Sequence, residues 1–213
     1  MTTLEELKNI NQLLHKGQLK DALDRVQSLE TKIISQHYRV AKAMILKTSS
    51  RITQKFKAQE LLQNVINEEI TEHKLTVYAM FNLCELLIDE LKLYGETEVL
   101  QKVKVLLTQI YDIALHQQSS QLIVQSLLLQ AKFALADGDA QLADELLKQA
   151  KLKSEESGLQ QFRIQITQEQ EILHNEIEKW TRLINQNTPL KVRIEQARLS
   201  EYVTKAISLL DKP

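Results

Sequence analysis

Glycine and proline are scarce, with four and two residues in a chain of 213. Sheet proteins reverse direction through turns that depend on those residues, so a mainly β architecture is excluded. Cysteine is limited to Cys84, which rules out an internal disulfide framework. It lies in the apolar run Phe81 to Ile88 and reads as a buried structural thiol, not a nucleophile. No stretch approaches the ~18 consecutive apolar residues of a membrane-spanning helix. Charge of one sign is not in excess: 27 basic residues stand against 28 acidic ones, which leaves no overall field to attract nucleic acid or a membrane surface.

Chemical signatures are equally sparse. Four isolated glycines cannot form a phosphate-binding loop, and there is no Gly-x-Ser-x-Gly elbow. His15, His37, His73, His116 and His174 stand apart, with no two at i, i+4. The pairs Glu68-Glu69 and Glu155-Glu156 read as solvated charge at helix ends. The expectation is a protein that is not an enzyme and holds no cofactor and no metal. Its opening, Met1-Thr2-Thr3-Leu4-Glu5-Glu6, is acidic and joins a periodic pattern at once, unlike a secretory signal, so a cytoplasmic location is expected.

What is present is helix-forming sequence. Residues of the hydrophobic class make up 43% of the chain, enough for a sizeable core, and the good helix formers Leu, Gln, Lys, Glu and Ala recur throughout. Apolar residues recur at three and four positions, as in Leu4, Leu7, Ile10, Leu14 and again in Leu142, Leu146, Ala150, which is the period of an amphipathic helix. Gly17, Gly95, Gly138 and Gly158 each follow such a run, where a left-handed glycine closes a helix. This punctuation predicts ten helices, near 3–15, 18–30, 34–51, 54–70, 72–94, 97–117, 119–137, 139–157, 159–186 and 190–211. Thr188-Pro189 supplies a cap and a first-turn proline for the last of them. Short connections of this kind make neighbouring helices antiparallel.

One segment carries a family pattern. Ala131, Gly138-Asp139, Ala143, Leu147 and Ala150 place small residues where two helices would cross, a Gly-Asp turn between them, and a large residue in the groove beside the crossing. This arrangement resembles a tetratricopeptide repeat of a divergent, prokaryotic type. Weaker copies occur at Gly17, Ala22 and Val26, at Ala58 and Leu62, and at Val103 and Leu107. The equivalent positions Ala22, Ala58, Val103 and Ala143 are spaced 36, 45 and 40 residues apart, against ~34 in the standard repeat. HEAT or armadillo units, with periods of ~40 to 47 residues, are the competing architecture. The resemblance implies an all-α fold: a right-handed α-solenoid of antiparallel helix pairs over 3–157, followed by a C-terminal helical hairpin over 159–211 that caps the array or oligomerises.

The same resemblance implies a function, namely a protein-interaction scaffold that accepts a partner peptide or helix in a concave groove. Groove positions carried over from the pattern are Gln125, Leu128, Lys132 and Leu135 in the clearest repeat and Val40, Ala43, Lys47 and Ser50 in the second. Leu4, Leu7 and Asn11 hold those places in the first. The Lys, Asn and Arg set with which some members grip a terminal carboxylate is not reproduced.

Charge is distributed in blocks. Lys32, Arg39, Lys42, Lys47, Arg51, Lys55 and Lys57 fall in a stretch without acids, and Glu68 to Glu98 then carries eight acids against two lysines. The basic block, with Arg51 added to the groove residues, suggests an acidic protein partner. The alternative is a nucleic-acid-associated or regulatory use of 32–57, weakened by the lack of interleaved aromatics. A monomer is expected, with a dimer through 159–211 as the other use of that helix's apolar stripe.

Overall fold

The computed structural model describes residues 9–10, 12–13, 16, 18–68 and 72–210. All regular elements among them are helices, so the protein is all-α. Nine helices have both ends described: α1 (Leu19–Lys47), α2 (Ile52–Asn67), α3 (His73–Tyr94), α4 (Thr97–His116), α5 (Ser120–Asp137), α6 (Ala140–Glu156), α7 (Gln160–Asn185), α8 (Leu190–Gln196) and α9 (Leu199–Leu210). None of these is long and apolar enough to cross a membrane. Of the expected first helix, Asn9, Ile10, Gln12 and Leu13 are helical. Leu4, Leu7, Asn11, His15 and the Gly17 turn lie outside the described residues.

Two boundaries differ from the sequence expectation. The helices predicted at 18–30 and 34–51 are one helix, α1, of 29 residues. Ser28 to Ile33 contains neither glycine nor proline, and the Thr31 hydroxyl donates to the Gln27 carbonyl at 2.8 Å within the continuous ladder. Conversely, the helix predicted at 190–211 breaks at Arg198, whose φ of 55° is left-handed. The break places Leu199 wholly in the core and leaves the Arg198 guanidinium near Glu169. Thr188 does not cap the helix that follows. Pro189 holds the position before α8, and the Thr188 N–H closes α7 by donating to the Leu183 carbonyl at 3.0 Å.

Other helix ends follow local chemistry. Gly138, at φ 102°, closes α5, and its N–H donates to the carbonyls of Ala134 and Leu135. Asp139 then starts α6 by accepting the Leu142 N–H at 2.9 Å. Ser119 accepts the Leu122 N–H at the start of α5.

The chain forms two compact units, residues 1–83 and 84–213. In the first, α1 packs on α2 and the core holds Ala22, Val40 and Ala43 with Ala58, Leu62, Val65 and Ile66. In the second, α5 is the central element, in contact with α4, α6, α7, α8 and α9, while α6 also packs on α7. Almost every side chain of α5 from Leu122 to Ala136 is buried, which explains its apolar character all round. Ala131, Ala143 and Ala150 are all buried, and α5 and α6 share the most extensive helix contact in this unit.

Candidate functional site

The α1 helix carries two apolar faces. A helix advances about 100° per residue, which puts Ala22, Gln36, Val40 and Ala43 on one side, and all four are buried. Leu23, Ile34, Tyr38 and Ile45 fall within about 60° of one another on nearly the opposite side. Their exposures are 57%, 61%, 65% and 73%. A single exposed leucine is ordinary, whereas Ile34, Tyr38 and Ile45 follow one another as a row of large apolar side chains of the kind that marks an interaction surface, with Leu23 three turns before Ile34 on the same line. Val26, at the edge of this stripe, is exposed as well.

The basic segment is partly consumed within the first unit. The Arg39 guanidinium meets Glu68 through two contacts, Nη1 to Oε1 at 2.5 Å and Nη2 to Oε2 at 2.6 Å, and Gln36 Nε2 donates to the same carboxylate at 3.2 Å. The Arg39 hydrogen bonds hold the Glu68 carboxyl below the usual carboxylate range, and Glu68 in turn raises the Arg39 guanidinium. His37 Nε2 lies 3.3 Å from Glu72. Lys47 Nζ donates to Asn82 Oδ1 at 2.7 Å. Thus the first acids of the acidic block neutralise part of the basic one. Of the positions assigned to a partner in this unit, Val40 and Ala43 are buried, Lys47 is half-buried, and Ser50 and Arg51 are exposed in the turn between α1 and α2.

Gln125, Leu128, Lys132 and Leu135 do share one face of α5, and all four are buried. Lys132 is ion-paired with Glu169 of α7, both side chains being only 7% exposed. Its ammonium also lies 4.8 Å from the centre of the Tyr202 ring of α9, a cation–π contact. Arg198 Nη2 is 3.9 Å from the other Glu169 oxygen. Beside the pair is a cavity of about 370 Å³, walled by Leu135, Leu147, Leu173 and Trp180 and edged by Glu195 and Arg198. Most of its charged lining cancels locally, since Lys179 pairs with Glu176 at 3.1 Å as Lys132 does with Glu169. Gln125 Nε2 is buried without a hydrogen-bond partner among the described residues, next to a smaller cavity shared with Phe162, Tyr202 and Lys205.

Cys84 is fully buried, and burial pushes its thiol far above the ordinary value, so the thiolate needed for nucleophilic chemistry is not formed near neutral pH. Among the described residues no group of three His, Cys, Asp or Glu side chains converges on a point where a metal would sit.

Sequence reasoning did not connect Glu169, Arg198 or Tyr202 with Lys132, because nothing local marks a residue as the partner of a lysine 37 or more positions away. The exposed stripe of α1 did have a signal. Between residues 19 and 47 the apolar residues outnumber the positions of one buried face, a surplus that points to a second surface. No protein-family model, no curated protein and no solved structure matches this chain.

Proposed function

We propose that this chain is a non-enzymatic protein-interaction module of the cytoplasm, a tetratricopeptide-like solenoid of antiparallel helix pairs that binds a partner helix along α1. The observation that carries the reading is the row of Leu23, Ile34, Tyr38 and Ile45, exposed along a helix whose other side is packed. Water-exposed apolar area of this extent costs solubility unless a partner covers it. The repeat character is supported by the buried alanines at 131, 143 and 150 and by the glycine closure at Gly138. Contacts of Lys104 with Asp137 and of Gln130 with the Leu107 carbonyl match opposed directions for α4 and α5. A protein partner is favoured over nucleic acid because Arg39 and Lys47 are already engaged inside the unit.

The test is affinity capture from the source cell with the wild-type chain and with Ile34→Glu. At an exposed position this change leaves the thermal melt within about 0.5 kcal/mol of wild type. A defined protein retained by the wild type and lost by the variant supports the reading. Identical capture by both chains, or capture abolished by nuclease, overturns it.

A further inference from the structure

The α1 stripe is arranged symmetrically about Ile34. Leu23 lies eleven residues before it and Ile45 eleven after, while Gln27 and Ala41 stand seven residues to either side and Glu30 and Tyr38 four. Eleven residues are about three helical turns, so Leu23, Ile34 and Ile45 rise from one line along the helix. We infer that α1 pairs with α1 of a second copy of this chain, antiparallel, with Ile34 on the two-fold axis; this rests on the interaction reading above and names its partner. In that register Leu23 packs on the partner's Ile45, and Ile45 on the partner's Leu23. The interface is isologous, as a closed dimer requires.

Charge selects the direction. The first half of α1 carries the exposed acids Asp21, Asp24 and Glu30 together with the exposed bases Lys20, Arg25 and Lys32, and the second half the exposed Lys42; Asp24, Glu30 and Lys42 flank the stripe. Asp24 and Lys42 are eighteen residues apart, five turns of about 3.6 residues, and therefore lie on the same edge of the stripe. Antiparallel pairing brings Asp24 within about 3 Å along the axis of the partner's Lys42, twice over by symmetry. Glu30, on the opposite edge, comes level with the partner's His37, while its own copy's His37 also faces Glu72 at 3.3 Å. Parallel pairing would put the two copies of Asp24, and likewise those of Lys42, on opposite edges of the seam, so that neither Asp24–Lys42 pair could form.

Light scattering over a concentration series should show the full chain rising from 24.6 kDa toward twice that mass. Ile34→Glu should hold it at the lower value. Asp24→Lys should weaken association at least tenfold, and adding Lys42→Asp to it should restore it. A short bismaleimide should link two copies through Ile34→Cys and fail to link them through Leu23→Cys, whose two copies would be about 33 Å apart; the native Cys84 is buried and silent. Equal linking at both positions overturns the antiparallel pairing, as does a wild-type chain that stays at 24.6 kDa throughout. A monomeric wild type that still captures a different protein through Ile34 ends the self-pairing and leaves the interaction reading intact. A monomer whose capture ignores Ile34 ends both.

Discussion

Lys132 is the side chain whose environment departs furthest from what its type prefers. A lysine is seldom buried unless paired, and here the pair with Glu169 is buried with the Tyr202 ring against the ammonium. Removing one partner of such a pair strands the other charge in a place where water cannot solvate it. Lys132→Ala should therefore destabilise the protein by about 3 to 5 kcal/mol, because Arg198, at 3.9 Å and half-exposed, compensates only weakly. The double change Lys132→Met with Glu169→Leu should recover most of that loss, since paired burial of charge contributes little net stability against well-packed apolar side chains. Urea unfolding of Lys132→Met, of Glu169→Leu and of the double variant measures the coupling. Equal losses for the double and the sum of the singles would show that the two side chains do not act on each other.

At the scale of elements, helix ends separate backbone strain from crowding. Gly138 and Gly158 both have positive φ, at 102° and 67°, so an L side chain is strained at either. Their surroundings differ. A Cβ at Gly138 would meet Arg193 Nη1 and Ile184 Cγ1 at 3.3 Å, whereas one at Gly158 would meet nothing within 4 Å. Gly158→Ala should cost about 1 to 2 kcal/mol, the conformational term alone. Gly138→Ala should cost clearly more, because the α5–α6 turn is pressed by residues of α7 and α8. Thermal melts of the two variants in parallel check the order. The same logic separates the continuous α1 from the broken α8–α9 segment: Ser28 to Ile33 offers no residue that stops a helix, while Arg198 is turned left-handed against its own preference.

For the molecule as a whole, the second unit owes its core to α7, α8 and α9 as much as to α4, α5 and α6. Phe162, Ile166, Leu173 and Trp180 of α7 are buried, as are Ile194, Leu199, Val203 and Ala206 that follow. The apolar stripe of α7, which reads as a possible dimer seam, is thus covered within its own chain. A chain ending at Ser157 would lose Glu169 and expose Leu128, Leu135 and Leu147. It should aggregate or lose helicity, and light scattering with circular dichroism reads both. A soluble, cooperatively melting fragment would show that α4 to α6 close a core without the C-terminal helices.

The sequence by itself determined the helical character of the chain and most of the helix ends, though not the continuity of α1 or the break at Arg198. Hydrogen bonds in a helix span four residues, so the three-and-four period, Ser119, Gly138 and Asp139 act inside a window that a reader can scan. It also placed the small residues Ala131, Ala143 and Ala150 in the core, because close approach of helices tolerates nothing larger there. The tertiary structure alone decided which face each helix turns inward. The α1 helix has two apolar faces and α2 covers only the one bearing Val40 and Ala43. The α5 face of Gln125, Leu128, Lys132 and Leu135 is the one closed over from α7 and α9. Burial depends on surfaces meeting across 30 to 70 residues of chain, as Lys132 meets Glu169 and Tyr202, and no local pattern encodes the choice of partner.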